Sequence, residues 1–535
     1  MTEGNKGRSE GRTMARRAGI VAVFTLLSRI LGFVRDTTLG HIFGAEGVHD
    51  AYIMASTVPN FMRRLVAEGS LMIAFIPLLS EEKKRGGLDA MRAFTAATMA
   101  VLIPILLVLI AVGMLFPEQA VKLFAAGFED ERAALTADLT VIMMGFLGFI
   151  SLTALASGVL NTQGRFAAPA AAPILLNVAI IVAAIVFRHL FEVPVEAVAW
   201  GFLVGGALQL ALQLPFLAKE GMIVAPRLDL KHPTLRTLGR RMLPAVFGVA
   251  VYQINILIIR QIASFLPEGD LSCYFWATRL QEFALGVFAV SISIAALPTL
   301  SEHAANKDVD KLLATFNRAL RATNFVTVPA TTIMVVAATP IVGVLFRHGR
   351  VTAQAGATTA ELVLLMATAL VPIGAVRVMV PTYYALGDTK TPVAAALASM
   401  VTTGAVGWWS MDRYGIHGLT IATVLAALAQ VVVLGALLKA RVRTTVGERS
   451  EPKKGPSVAV HALKCFVAVL PGAVLAGWAA QTRGWLGGDN LVGALWLAGI
   501  FGFAIPVYFG LAKVLRIEEG TLILGAVLRR ARRST

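Results

Sequence analysis

Cysteine is nearly absent. The 535 residues hold only Cys273 and Cys465, without CxxC spacing, which excludes a disulfide framework and a zinc site and leaves both as core packing. No GxxxxGK[ST] run occurs, so nothing in the chain is built to cradle ATP phosphates. HExxH and GxSxG are missing as well, and the eight histidines fall in no metal-ligand spacing. Hydrolytic, metal and ATP-driven chemistry have no candidate residues: no catalytic residue, metal or cofactor is expected, and no coupling ion is identified. Charge is scarce too, with 15% charged residues against 57% hydrophobic and a mean hydropathy of +0.73. That composition excludes a soluble globular domain.

What the sequence has instead is long apolar runs. About fourteen are bounded by charged or Gly/Pro-rich breaks and are long enough to cross a bilayer, which takes about 20 residues per helix. Their limits are 17–43, 47–80, 91–116, 133–160, 166–189, 196–219, 236–266, 271–301, 311–338, 354–386, 391–411, 415–439, 459–481 and 489–514. The first run is too long for a cleaved signal segment. The expected class is all-α, a polytopic membrane protein of about 14 transmembrane helices. With the N-terminus in the cytoplasm, 83-KKR-85, Arg165, the 219–241 segment, 307–321, Lys390, the 439–464 segment and 529-RRARR-533 share one side. The other side holds Lys122, Arg132, Arg188, Arg347, Arg350, Arg413 and Arg483. The roughly fivefold bias puts both termini inside. It also accounts for the formal charge of +16 without a nucleic-acid partner, since the basic residues form no single stripe.

An internal repeat is visible. Span two ends 76-IPLLSE-81 and span eight ends 297-LPTLSE-302; 161-NTQGRFAAP-169 after span four is echoed by 387-GDTKTP-392 after span ten. Both echoes are about 220 residues and six spans apart. Six is even, so the copies share one orientation, as in parallel-repeat transporters.

Seven arginines stay inside the spans: Arg29, Arg35, Arg63, Arg64, Arg260, Arg279 and Arg377. Each costs about 2.5–3.5 kcal/mol at a helix centre, so such residues normally face water or a partner. Arg29, about twelve residues into span one, lies about 18 Å deep in a hydrocarbon core about 30 Å thick. Asp36, seven residues on, shares its helix face, whereas Arg35 points elsewhere unless Gly32 bends the helix. Glu68 follows Arg64 by four residues and Glu282 follows Arg279 by three, spacings that make ion pairs along one face. Asp50 has two readings, a partner of Arg35 or part of a periplasmic gate. Arginines outnumber nearby carboxylates in spans one, two and eight, and guanidinium forks match phosphate and carboxylate. Arg377 and Asn255 are candidates for a second polar patch. Tyr383 and Tyr384 read as interface aromatics.

The runs 28-SRILGFVRD-36, 50-DAYIMA-55, 58-VPNFMRRLVAEGSLMIAFIPLLSE-81, 161-NTQGRF-166, 173-PILLN-177, 279-RLQEF-283, 297-LPTLSE-302 and 387-GDTKTP-392 resemble the MurJ (MviN) family of lipid II flippases, within the multidrug/oligosaccharidyl-lipid/polysaccharide exporter superfamily. The resemblance implies two six-helix lobes in parallel pseudo-two-fold repeat around a cationic cavity, with two further helices forming a groove for a polyprenyl tail. On this chain that organisation reads as a cytoplasmic tail (1–16), an N-lobe (17–219), a cytoplasmic linker (220–235), a C-lobe (236–440), a basic linker (441–458), the groove helices (459–515) and a basic tail (516–535). By motif position it implies substrate-binding roles for Arg29, Arg35, Arg63 and Arg279, and gate or ion-pair roles for Asp36, Asp50, Glu68 and Glu282, to which the four-residue spacing with Glu68 adds Arg64 as an ion-pair candidate. One departure is Thr278, where relatives often carry an acid. The implied activity is translocation of lipid II, an undecaprenyl-pyrophosphate-linked disaccharide-pentapeptide, by alternating access in the bacterial cytoplasmic (inner) membrane. Membrane lipids and cell-wall synthesis proteins are the other partners it suggests. A flippase for another polyprenyl-linked sugar, a small-molecule antiporter of the same superfamily, and a non-transporting scaffold for cell-wall enzymes are the competing readings.

Overall fold

The computed structural model describes residues 3–286, 289–447, 457–482, 484–487 and 490–520, and no strand occurs among them. Two compact units divide the chain, Met1–Glu268 and Gly269–Thr535. Parts of the expected basic linker (448–456) and tail (521–535), with Arg483 and 529-RRARR-533, lie outside the described residues.

In the first unit, α1 (Glu3–Phe43) takes in the residues expected as a tail together with span one. Next come α2 (Gly47–Arg63), a π-helix (Arg64–Leu71), α3 (Met72–Leu115), α4 (Pro117–Ala125), α5 (Asp130–Met144), α6 (Phe146–Thr162), α7 (Ala167–Val182), α8 (Pro194–Lys219) and α9 (Pro233–Ser264). Within α3 the backbone leaves helical geometry at Gly86 and Gly87, the latter at φ 62°, a conformation that favours glycine. That break separates expected spans two and three and folds the two halves back until the rings of Phe75 and Phe94 stack with centroids 5.3 Å apart.

The second unit holds α10 (Asp270–Gly286), α11 (Ala289–Ala305), α12 (Val309–Val336), α13 (Ala338–Leu345), α14 (Ala353–Ala367), α15 (Leu370–Ala385), α16 (Lys390–Thr445), α17 (Val458–Thr482) and α18 (Asn490–Val514). Gly415, at φ 52°, breaks α16 where spans eleven and twelve were expected to part. Each of the fourteen expected runs coincides with a helix or a broken helix. Eight described helices, or ten if each bent pair is one span, are long and apolar enough to cross a membrane, and two of them, Gly47–Leu115 and Lys390–Thr445, each take in two of the expected runs. Cys273 and Cys465 are both buried, in keeping with core packing. Tyr383 is not an interface aromatic: it is wholly buried, because its hydroxyl donates to the Leu434 carbonyl at 2.6 Å inside a cluster with Leu312, Phe316 and Leu438. Tyr384 is half exposed.

Ion pairs repeat along with the helices. In the first unit Arg165, in the turn after α6, meets Glu220 at the end of α8 at 2.7 Å. In the second, Asp388, in the turn after α15, meets Arg441 near the end of α16 at 2.9 Å. The corresponding positions are 223 residues (Arg165, Asp388) and 221 residues (Glu220, Arg441) apart, so the repeat keeps the contact while exchanging its charges. The sequence repeat starts its second copy at 236, in the first turn of α9, yet the compact units part after α9. The reason is that α9 packs on the π-helix, α3 and α4. Its first turn is held where the Thr234 hydroxyl donates to buried Glu82. At its other end the Gln261 and Ser264 side chains accept the Ala126 and Gly127 N–H groups at 3.0 Å, satisfying backbone donors at the α4–α5 turn.

The hairpin of α17 and α18 is fastened at both ends. At one, Arg347 donates to the carbonyls of Leu486 and Val351 at 3.0 and 2.6 Å. At the other, Glu519, just beyond α18, meets His461 of α17 at 2.9 Å and Arg321 of α12 at 3.3 Å. Burial would push the Glu519 carboxyl up, but the hydrogen bond from His461, with Arg321 beside it, outweighs burial and holds it below its ordinary 4.5. A carboxyl depressed in the folded state stabilises above its unfolded value, and that contribution fades as pH falls through the folded one. Glu519→Gln is therefore expected to cost on the order of 3 kcal/mol near neutrality, since it strands Arg321. Melting temperatures of the two proteins in detergent, followed from about pH 7 down to about pH 3, should converge below 4.5; a gap that stays constant across that range would refute the assignment.

Candidate functional site

The face of α1 that packs on α7 is set by spacing. Ser28, Gly32 and Arg35 stand at i, i+4 and i+7, which is one helical stripe. Asn177 of α7 lies against it: its amide donates to the Ser28 carbonyl at 3.1 Å, its side-chain oxygen accepts from Arg35 Nη1 at 3.1 Å, and a Cβ on Gly32 would sit 3.6 Å from its Nδ2. Two of the recognised runs, 28-SRILGFVRD-36 and 173-PILLN-177, are thereby one contact. Asn177 was not singled out from sequence, though an amide inside an apolar span was a signal in plain view.

Arg35 is engaged twice. Besides Asn177 it meets Asp36, with Nε and Nη2 at 2.9 and 2.6 Å from Oδ1. The expectation that Asp36 serves the Arg29 face gives way to this pair, because α1 runs unbroken through Gly32 and the long arginine side chain bends back to its neighbour. Arg29 is different. It is exposed beside Leu26 and Ile30, and among the described residues no hydrogen bond or ion pair engages it.

Asp50 is not the partner of Arg35, which Asp36 and Asn177 take up. Fully buried at the start of α2, it faces Arg132 of α5 at 3.6 Å, and the Arg132 guanidinium lies over the Phe128 ring at 4.1 Å. Arg63 ends α2 and Arg64 opens the π-helix, an element frequent at functional sites. The side chain of Glu68 lies outside the described part, so the expected Arg64–Glu68 pair does too.

In the second unit Arg279 donates to Glu282 at 3.2 Å, the spacing the sequence suggested, and its guanidinium stacks on Phe275 at 4.7 Å. Thr278, in place of an acid, returns its hydroxyl to the Tyr274 carbonyl at 2.9 Å and makes no substitute ion pair with Arg279. Gln281 ties α10 to α14 through the Met366 carbonyl at 2.7 Å. Among the described residues no group of three or more metal-ligating side chains converges. What the arrangement offers chemically is guanidinium groups, of which Arg35 and Arg279 are matched by acid.

A family model described as lipid II flippase MurJ matches residues 39–492. The chain is 37% identical over 407 residues to the lipid II flippase MurJ of Burkholderia cenocepacia, covering 75% of this chain and 79% of that protein. It is 32% identical over 511 residues to the probable lipid II flippase MurJ of Vibrio cholerae, covering 93% and 95%. Among solved structures, a lipid II flippase MurJ in an inward closed conformation matches with TM-score 0.76 and 24% identity over 93% of this chain and 99% of that one. An inward-facing multidrug resistance MATE family transporter of the MOP superfamily matches with TM-score 0.66 and 14% identity over 81% and 99%.

The Asp50–Arg132 pair yields a stability prediction. Arg132→Ala leaves a buried carboxylate without its cation and should cost about 3–5 kcal/mol, whereas the double change Asp50→Asn with Arg132→Met should recover most of the loss. Thermal unfolding in detergent reads both, and a double variant no more stable than the single one would contradict the pairing.

Proposed function

The chain belongs to the MurJ family of lipid II flippases, and on that premise we propose that it carries the undecaprenyl-pyrophosphate-linked peptidoglycan precursor from the inner to the outer leaflet of the bacterial cytoplasmic membrane by alternating access, with both termini cytoplasmic. The observation that carries the site assignment is Arg29, a guanidinium at mid-span depth, exposed and unmatched by acid among the described residues. An unmatched cation at that depth needs water or an anion. The pyrophosphate and peptide carboxylates of the precursor are anions of the geometry a guanidinium fork holds well.

In this reading Arg29 and Arg63 of the first unit and Arg279 of the second attract and orient the anionic head. Arg35, locked to Asp36 and Asn177, presents α1 in the correct rotation, and Asp50 with Arg132 serves the gate. The hairpin of α17 and α18 shelters the polyprenyl tail. Binding energy cannot itself drive net movement, and an unmatched cation supplies the handle: each charge crossing the membrane potential is worth about 2.3 kcal/mol per 100 mV.

Arg29→Ala is expected to abolish translocation while the protein still inserts and melts as before, because the residue holds nothing else in place. Arg29→Lys, which keeps charge but loses the fork, should retain a fraction of the rate. The measurement is the leaflet on which lipid II accumulates when the variant replaces the depleted wild type. Normal outward movement with Arg29→Ala would remove the residue from the mechanism.

A further inference from the structure

Proline 381 creates a local defect in α15. It has no N–H to give the carbonyl four residues back, which is that of Arg377. In lipid such an orphaned carbonyl must find another donor, and the Ser293 hydroxyl of α11 provides it. Beside this contact a crevice of ≈ 270 Å³ is lined by Ser293, Ile294, Val376, Arg377 and Val380. Arg377 Nε is buried there without a hydrogen-bond partner, and no acid among the described residues pairs with the guanidinium. Ile294 at the rim is 68% exposed. Arg377 stands eight residues before the end of α15, about 12 Å from that end, and its long side chain can snorkel toward a headgroup there.

A lone guanidinium, an apolar trough beside it and an open side together describe a receptor for a charged head with a hydrocarbon chain. We propose that Arg377 and this crevice bind an anionic phospholipid of the surrounding bilayer, with the phosphate on the guanidinium and an acyl chain along Ile294, Val376 and Val380. Apart from Ser293 and Arg377 the lining is apolar and offers nothing to a disaccharide-pentapeptide, which favours a resident phospholipid over the transported precursor. The inference requires only that the chain spans a membrane and does not depend on flipping.

The test uses the full chain in neutral detergent, titrated with palmitoyl-oleoyl phosphatidylglycerol while native mass spectrometry counts bound lipid. Phosphatidylcholine with the same chains is the zwitterionic control, and undecaprenyl pyrophosphate is the competitor. Arg377→Gln should weaken the first phosphatidylglycerol about tenfold, the usual scale of a charge-assisted contact, with phosphatidylcholine unchanged. Arg377→Lys should fall between the two and serves as the folded reference. Val380→Trp, which fills the trough and keeps the cation, should displace the lipid as well. Equal phosphatidylglycerol affinity across all four proteins overturns the site. Preferential, Arg377-dependent retention of undecaprenyl pyrophosphate over phosphatidylglycerol overturns the resident-lipid assignment in favour of the precursor. Because no arm reads transport, a negative result leaves the flippase reading intact.

Discussion

A guanidinium placed within a bilayer has to be met by an acid, by water or by a ligand, and this requirement organises most of what distinguishes the chain from a featureless bundle. Where acid meets arginine, helices are joined: Asp36 and Asn177 fix α1 on α7 through Arg35, Asp50 fixes α2 on α5 through Arg132, and Glu519 fixes the end of the last hairpin through Arg321 and His461. In lipid the apolar flanks of these helices gain little from contact with one another beyond packing, so polar joints decide which helix keeps company with which.

The joints lie mostly at helix ends. The ends of α9 are held by Thr234 on Glu82 and by Gln261 and Ser264 on the α4–α5 turn; the α17–α18 hairpin is held by Arg347 at one end and Glu519 at the other. Hydrogen bonds at the margins exchange readily with water, while apolar middles slide with little penalty. A helix fastened in that manner can be released at one end without unpacking along its length, which suits a carrier that alternates between two openings. Fastening also explains why α9, counted with the second copy by the sequence repeat, travels with the first compact unit: repeats record ancestry of segments, whereas compactness records present contacts.

The helices were legible because a span needs a run of apolar residues whatever its partners. The breaks at Gly87 and Gly415 were legible because both glycines sit beside charged clusters that end a span. Ion pairs along one helix, such as Arg279 with Glu282, follow from spacing alone. Pairs between helices do not: Asp50 with Arg132 joins residues 82 positions apart, and nothing local in either stretch names the other. The Arg35–Asp36 pair was missed for the opposite reason. Helix geometry separates adjacent side chains, but it speaks for Cβ directions, and a long arginine can fold back on its neighbour.

That pair alters what Arg35 itself can do. Arg35 has five N–H groups and spends three of them on Asp36 and Asn177, so it keeps donors for a ligand while its charge is already balanced. Its contribution to drawing an anion inward is therefore small, and its contribution to orienting one is intact. Arg279 is similarly balanced by Glu282. Long-range attraction scales with net charge, short-range fit with donors, so the two tasks fall to different residues. On the proposed function, Arg29 supplies the field that draws an anionic head inward, and acid-matched Arg35 supplies a rigid fork that need not be reorganised when it arrives. A cavity made only of unmatched arginines would pay for mutual repulsion in every empty state. Matching an arginine with acid, as Asp36 does for Arg35, lowers that cost.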